Sequence, residues 1–133
     1  MREQLIHLEQ TARPIRVAIV GCGRFGSMML SQILRTPGMD VAVACDIDKQ
    51  RVVNALAIGG YEVDNLVTTS KVTLSNTAIR TRRPVITEDS DVAIKSDVDV
   101  VVEATGNPDI GAKHAFHAIS EGKHVVMVNV EAD

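Results

Sequence analysis

The stretch IRVAIVGCGRFGSMML, residues 15–30, decides the fold of this protein. It opens with a largely apolar, β-branched run at 15–20, which is typical of a buried strand. The glycine-rich segment GCGRFG follows directly at 21–26, and apolar residues at helical spacing continue to Leu34. A strand that enters a helix through a glycine-rich turn is the first unit of an alternating α/β chain.

The same alternation continues along the rest of the chain. Further strands are predicted at 41–45, 85–87, 98–104 and 124–128, and helices at 2–11, 25–34, 49–58, 90–95 and 108–121, with a connecting helix near 66–82. This order predicts a Rossmann-type α/β fold, a doubly wound parallel sheet of about five strands with helices on both faces. Residues 1–14 are predicted to be a helical extension, and residues 15–133 the folded domain.

Composition agrees with one domain and excludes several functions. The chain has 133 residues, of which 45% are apolar and 2% aromatic, and it carries a formal net charge of −3. Nineteen Val and eleven Ile supply the β-branched side chains that parallel strands prefer. A slightly negative charge argues against nucleic acid as a partner, and few aromatic side chains are present for base stacking.

The chain has no segment typical of a membrane or secreted protein. No apolar run approaches the roughly 18 residues of a membrane span, and the N-terminus lacks a signal-peptide core. We therefore expect a cytoplasmic protein with no membrane partner. Cys22 and Cys45 match neither a zinc nor a redox spacing, so both are expected to fill space near a pocket.

The segment at 21–26 matches the dinucleotide-binding pattern G-x-G-x-x-G between a strand and a helix. Gly21 permits the tight turn, Gly23 lets a pyrophosphate approach the backbone, and Gly26 lets the helix pack against the strand. The helix that follows offers unpaired N–H groups to phosphates. Arg24 and Phe25 complete this predicted cofactor-binding loop, in which Arg24 either lies near the adenine or a phosphate or remains a solvated helix charge.

Asp46 ends the second strand, 20 residues after Gly26, where a carboxylate binds the hydroxyls of the adenosine ribose. Such a carboxylate repels a 2′-phosphate and favours NAD. Lys49 and Arg51 follow closely, however, and either can bind that phosphate or remain a solvated helix charge. The cofactor is therefore predicted to be NAD or NADP, with Arg51 among its ligands.

Thr105, Gly106 and Asn107 follow the strand predicted at 98–104. Ligands of open α/β sheets bind outside the carboxyl ends of the strands, so this loop is expected near the nicotinamide ribose. The alternative is a turn that only begins a helix. Asn129 and Glu131 follow the last predicted strand and are candidate contacts for the nicotinamide or the substrate.

Other chemistry has weaker support in the sequence. His114 and His117 lie three residues apart on one predicted helix, without an acidic residue nearby in the sequence. We therefore expect surface or half-buried histidines in preference to a metal pair, and we predict no metal site. No nucleophilic triad is recognisable, and the catalytic residues remain unassigned.

Three stretches carry a family resemblance: RVAIVGCGRFGSMM at 16–29, VACDID at 43–48, and the segment from Asp99 to Asp133. They resemble the N-terminal NAD(P)-binding domain of homoserine dehydrogenase-like oxidoreductases. The leading helix and GKHVVMVNVEAD at 122–133 resemble more closely the branch with a C-terminal SAF domain. That branch includes enzymes similar to deoxyxylulose-phosphate reductoisomerase.

The sequence departs from two related groups after the last predicted strand. Homoserine dehydrogenases proper carry an Asn-Lys pair there, whereas Asn129 is followed by Val130. Sugar dehydrogenases of the glucose-fructose oxidoreductase type carry Glu-Lys-Pro, where this chain has Val128, Asn129 and Val130. Ordinary homoserine oxidation and ordinary sugar oxidation are therefore both disfavoured.

The resemblance implies the cofactor domain of an oxidoreductase that transfers a hydride between a nicotinamide cofactor and a small hydroxy or oxo substrate. The substrate residues would then come from a downstream domain, and this chain alone would be inactive. The alternative is a nucleotide-sensing regulatory domain of a potassium transport system, which has a similar size, a GRFG loop and an Asp-Ile-Asp ending to its second strand. Self-association through a sheet edge or helix surface stays open.

Overall fold

A parallel sheet forms the centre of the computed structural model, which describes residues 1–10 and 13–128. Its strands are β1 Ile15–Val20, β2 Met39–Cys45, β3 Val67–Thr68, β4 Val85–Thr87, β5 Val100–Glu103 and β6 His124–Met127. The α-helices are α1 Arg2–Gln10, α2 Arg24–Leu34, α3 Lys49–Ile58, α4 Val72–Arg80, α5 Ser90–Lys95 and α6 Pro108–Ser120. A short 3₁₀ turn covers Val63–Asn65.

The strand order β3-β4-β2-β1-β5-β6 places the first long strand in the middle of the sheet. From β1 the chain passes to β2 and then to the edge strand β3, returns to β4 between β3 and β2, and crosses to the other side of β1 with β5 and β6. In the register, Val20 lies beside Cys45 of β2 and beside Glu103 of β5. The loops that leave β1, β2 and β5 therefore open on the same edge, at the point where ligands of such sheets bind.

Both faces of the sheet are buried by helices, which confirms the Rossmann-type prediction. On β1, Val17 and Ile19 belong to a core cluster that includes residues of α2 and α3. Ala18 and Val20 belong to a second cluster, with residues of α4, α5 and α6. Successive strand side chains point to opposite faces, so an apolar run without alternation is what a strand between two helical layers requires.

The structure differs from the predicted elements mainly between residues 61 and 83. The helix predicted near 66–82 is shorter, because α4 covers Val72–Arg80, and an additional edge strand, β3, precedes it. The Lys71 N–H donates to Thr69 Oγ1, a turn that separates the strand from the helix. A two-residue edge strand is too short for hydrophobic periodicity, and pairing with β4 alone forms it.

The leading helix contacts the rest of the protein at the turn before β2. Gly38 lies so close to the Leu5 carbonyl that a side chain at position 38 would collide with that oxygen. The Ile15 N–H donates to the Gly38 carbonyl at 2.7 Å, which connects this turn to the start of β1. The division into an extension at 1–14 and a domain at 15–133 remains a prediction.

Candidate cofactor site

A cavity of about 480 Å³ opens at the carboxyl ends of β1, β2 and β5. The glycine loop, the end of β2 and the beginning of α6 form its walls. Its volume lies in the range of small-molecule and cofactor sites. Among the predicted residues, those lining it are Gly21, Gly23, Asp46, Arg51, Thr105 and Asn107.

Gly21 brings the loop after β1 against the loop after β5. Its φ of +98° is left-handed, and a Cβ there would lie 2.6 Å from both the carbonyl carbon and the oxygen of Ala104. The Gly21 N–H donates to the Cys45 carbonyl at 2.8 Å, so the same residue also binds the end of β2. Both its conformation and its surroundings therefore require glycine.

Gly23 and Gly26 have different reasons to be glycine. A Cβ on Gly26 would overlap the Gly21 carbonyl oxygen, so its absence lets α2 pack directly on the loop. A Cβ on Gly23 would meet no described protein atom within 4 Å, and Gly23 lines the cavity. No contact with the described residues explains why position 23 lacks a side chain. A ligand packed against the loop would explain it.

The N-terminus of α2 supplies hydrogen-bond donors to this edge of the sheet. Gly23 is its N-cap and has no side chain to accept from the helix. The N–H groups of Arg24, Phe25 and Gly26 bond to none of the residues that the structure describes. Such a helix end attracts an anion through its free donors and its partial positive charge.

The side chains of Arg24 and Phe25 lie outside the cavity wall. Both are exposed, and 63% of Phe25 is accessible to solvent. What these two residues bring to the loop is their backbone N–H groups. A role for their side chains in binding a cofactor remains a prediction.

Asp46 is buried at the end of β2, with 7% of its surface exposed. Its Oδ2 accepts the Cys22 N–H at 2.7 Å, and its Oδ1 accepts the Asp48 N–H at 2.8 Å. One carboxylate thus fixes both the glycine loop and the turn that begins α3. Each carboxylate oxygen has a second lone pair, which leaves acceptors for hydroxyl groups in the cavity.

Arg51 lines the cavity next to Asp46 and is exposed. Its Nε lies 3.9 Å from Asp48 Oδ2, and a long, solvent-exposed ion pair of this kind contributes little. Lys49 instead lines a neighbouring cavity of about 740 Å³, at the ends of β3 and β4. The two cavities meet at Glu88 and Ser90, but the glycine loop lines only the smaller one.

The loop after β5 begins α6 and also contributes to the cavity wall. Asn107 is the N-cap of α6, since its Oδ1 accepts the Ile110 N–H at 3.1 Å. Asn107 also lines the cavity together with Thr105, and its amide nitrogen remains a donor. Gly106 lies between them with a φ of +76°, and a Cβ there would have open space around it.

Glu103 is a site residue that sequence reasoning missed. It is the last residue of β5 and is fully buried. Its Oε1 accepts the Thr105 N–H at 2.8 Å and also the Thr105 hydroxyl, and its Oε2 lies 2.5 Å from His114 Nδ1. Burial acts to raise the pKa of Glu103, but the hydrogen bonds from His114 and Thr105 outweigh it, and the pKa lies below 4.5, its ordinary value.

His114 is the half-buried histidine that the sequence predicted, but it has an acidic partner after all. Glu103 lies 11 residues earlier, and the turn into α6 brings the two side chains together. The available signal was a charged residue at the end of an otherwise apolar strand, because a buried carboxylate requires partners. His117 lies apart from this cluster, with its Nδ1 3.4 Å from Asp91 Oδ1.

The two cysteines are buried and form no disulfide, as predicted for space-filling side chains. Burial, followed by the charge of Asp46, raises the pKa of Cys22 to about 12. Burial, followed by Cys22, raises the pKa of Cys45 to about 12 as well. Neither thiol is a thiolate near neutral pH, so neither has the character of a nucleophile.

Two of the predicted site residues, Asn129 and Glu131, lie outside the residues that the structure describes. Among residues 1–10 and 13–128, no group of three or more His, Cys, Asp or Glu side chains is arranged to hold a metal ion. In the same two ranges, no helix combines the length and the apolar character needed to cross a bilayer.

Solved structures similar to this chain include a dehydrogenase, an NAD-binding protein and a putative oxidoreductase. Scyllo-inositol dehydrogenase from Lactobacillus casei, solved with NAD(H) and scyllo-inositol, has a TM-score of 0.62 and 20% identity over 86% of this chain. An NAD-binding protein from Listeria innocua has a TM-score of 0.58 and 23% identity over 85% of the chain. A putative oxidoreductase from Klebsiella pneumoniae has a TM-score of 0.59 and 25% identity over 85% of the chain.

The matched region is a limited part of those proteins. It covers 27%, 26% and 25% of the three chains, respectively, so this chain corresponds to about a quarter of each. No curated protein matches the sequence. At 20% and 23% identity, the structures from Lactobacillus casei and Listeria innocua support the fold of this chain but give no information about its substrate.

A family model decides the classification. The NAD-binding domain of homoserine dehydrogenase matches residues 21–133, which begin at the glycine loop and include every strand after β1. The matched range contains the six predicted residues that line the cavity. The chain belongs to the family of homoserine dehydrogenase NAD-binding domains.

Proposed function

We propose that the cavity beside the glycine loop holds NAD or NADP for an oxidoreductase that transfers a hydride to or from a small hydroxy or oxo compound. The observation that carries this proposal is Gly23, whose missing side chain leaves cavity space that no described protein atom explains. When bound, the nicotinamide ring supplies the hydride chemistry, and the protein supplies binding and orientation.

The residues of the cavity divide naturally among the parts of a dinucleotide. The pyrophosphate lies against Gly23 and the first N–H groups of α2, which carry partial positive charge. Asp46 accepts from the hydroxyls of the adenosine ribose. The nicotinamide ribose then lies toward Thr105 and Asn107, on the β5 side of the glycine loop.

NAD is the preferred form in this proposal. The Asp46 carboxylate lies in the cavity wall, and Asp48 follows two residues later. A 2′-phosphate would lie against the buried Asp46 carboxylate, whereas Arg51, the cation that could offset this repulsion, is solvent-exposed. The balance of charge at the ribose end therefore favours a free hydroxyl over a phosphate.

The substrate class rests on the sequence resemblance. Homoserine dehydrogenase-like and deoxyxylulose-phosphate reductoisomerase-like substrates are both small hydroxy or oxo compounds. The narrower proposal of the SAF-bearing branch rests only on the resemblance of the leading helix and of residues 122–133. Membership of the homoserine dehydrogenase NAD-binding family favours an oxidoreductase over a nucleotide-sensing regulator of potassium transport.

The test is a calorimetric titration of this chain with NADH. Gly23→Val should abolish binding, because the new methyl groups occupy the pyrophosphate position while the extended backbone at φ −74° tolerates valine. Met28→Val is the matched control, since Met28 is 58% exposed on the same helix and does not line the cavity. Unchanged affinity in Gly23→Val, or no binding by the wild-type chain, would contradict the proposal.

A further inference from the structure

The Glu103–His114 pair lies on the β5 side of the cavity, and the proposed function assigns no role to it. His114 is on α6, lines the cavity, and has a side chain that is 14% exposed. Glu103 lies behind it, fully buried at the end of β5. A buried carboxylate that contacts an imidazole determines which ring nitrogen carries a proton, and therefore which kind of hydrogen bond the imidazole can make to a ligand in the cavity.

The hydrogen bonds of Glu103 determine which nitrogen of His114 carries a proton. The backbone N–H of Thr105 can only donate, and it donates to Oε1 of Glu103 at 2.8 Å. The carboxylate is ionised and acts as an acceptor only, so the contact at 2.5 Å requires a proton on His114 Nδ1. In the neutral imidazole, Nε2 is then an acceptor with a free lone pair.

This acceptor is available to a ligand. His114 Nε2 has no hydrogen-bond partner in residues 1–10 and 13–128, although the side chain is mostly buried. Glu103 occupies Nδ1 of the ring, and His114 itself lines the cavity. A mostly buried acceptor without a partner is costly unless a ligand or water pairs with it.

The position along the sheet indicates which part of a dinucleotide His114 meets. Asp46 lies at β2, the glycine loop follows β1, and His114 packs on β5, in the spatial order β2-β1-β5. With the pyrophosphate at the glycine loop and the adenosine at Asp46, the other nucleoside extends toward His114. The hydrogen-bond donors of that half are the ribose hydroxyls and the carboxamide NH₂.

We infer that His114 Nε2 accepts a hydrogen bond from the nicotinamide riboside half of the cofactor. Glu103 is the positioning residue that keeps the imidazole proton of His114 on Nδ1. The inference rests on the proposed dinucleotide function. It assigns to α6 a direct contact that discriminates a complete dinucleotide from its adenosine half. The competing explanation is that the pair only fastens α6 to β5.

Calorimetric titrations with NADH, ADP-ribose and ADP separate these explanations. His114→Asn keeps an amide donor near the Nδ1 position for Glu103 and removes Nε2. We expect it to weaken NADH binding about tenfold and to leave ADP binding unchanged. An equal loss for ADP-ribose identifies a ribose hydroxyl as the donor, and a loss for NADH alone identifies the carboxamide, so either pattern supports the contact.

The control and the opposing outcomes are equally specific. His117→Asn changes a histidine one turn away that faces Asp91 and does not line the cavity, so NADH affinity should remain at the wild-type value. Unchanged NADH affinity in His114→Asn, or an equal loss for all three ligands, would overturn the inference and leave the proposed function intact. If the wild-type chain binds none of the ligands, the proposed function fails and the inference with it.

Nitrogen NMR of the imidazoles tests the role of Glu103 directly. The chain has four histidines, so His114→Asn assigns the His114 signals by their disappearance. We expect the neutral ring to be protonated on Nδ1. In Glu103→Gln the Thr105 donors hold the side-chain oxygen and turn the amide NH₂ toward His114, so the proton should move to Nε2 and NADH affinity should fall. A wild-type ring protonated on Nε2 would overturn the inference.

Discussion

The Asp46 carboxylate accepts a hydrogen bond from the Cys22 N–H at 2.7 Å, which ties the end of β2 to the glycine loop across 24 residues of sequence. Its other oxygen accepts from the Asp48 N–H at 2.8 Å. The residue expected to bind a ribose is therefore also the residue that shapes the loop for the phosphates. Loss of Asp46 should affect both the stability and the cofactor preference of the protein.

Asp46→Ala should weaken NAD⁺ binding about tenfold relative to NADP⁺ binding, because it removes the ribose acceptor and the charge that opposes a 2′-phosphate. Titration calorimetry with both nucleotides measures the ratio of affinities. Asp64→Ala, an exposed carboxylate on the 3₁₀ turn, is the control and should change neither affinity. An unchanged ratio in Asp46→Ala would remove this residue from the cofactor site.

The same substitution should lower the free energy of unfolding by about 1–3 kcal/mol, since the buried Cys22 N–H loses its acceptor. Urea unfolding, followed by far-UV circular dichroism, gives this value. Asp64→Ala serves again as the reference and should unfold at the wild-type urea concentration. A midpoint for Asp46→Ala equal to that reference would show that the Cys22 bond contributes nothing to stability.

Gly21→Ala should destabilise the protein more than Gly106→Ala does. Both glycines have left-handed φ values, of +98° and +76°, which cost an alanine about 1–2 kcal/mol. At position 21 the new Cβ would also lie 2.6 Å from the Ala104 backbone, whereas at position 106 it meets open space. Urea midpoints for the two variants test the difference, and equal values would refute the packing argument.

Glu103 should make stability fall on the acid side. Because its folded pKa is below the ordinary 4.5, the stabilisation is complete above that pH and is lost as the pH falls through the lower folded value. Urea unfolding at a series of pH values from 7 to about 3 should show a steeper decline for the wild type than for Glu103→Gln. Parallel curves would mean that ionised Glu103 adds nothing.

Cys22 and Cys45 should resist alkylation in the folded protein. With pKa values near 12 and buried positions, both thiols are protonated and inaccessible at pH 8. Mass spectrometry after iodoacetamide treatment should detect modification only in urea. Cofactor should leave the protection intact, and rapid labelling of the native chain would indicate that the loop around Cys22 opens.

The sequence alone carried the fold, because buried parallel strands and amphipathic helices leave local patterns. The run at 15–20, the glycine segment at 21–26 and the apolar strands near 41–45 and 98–104 predicted a doubly wound sheet, and the structure confirms it. The sequence patterns did not predict β3, because this two-residue strand forms only by pairing with β4 and has no periodicity of its own.

The residues of the candidate site divide in the same way. Gly21, Gly26 and Asp46 stood out in the sequence, since a tight turn, a close helix approach and a strand-end carboxylate are local requirements with fixed spacing. Only the tertiary structure brought Asp46 to Cys22 and Glu103 to His114. Such contacts depend on where the strand order reverses and on which face of a helix packs on the sheet. Local sequence patterns do not encode which distant side chains come into contact.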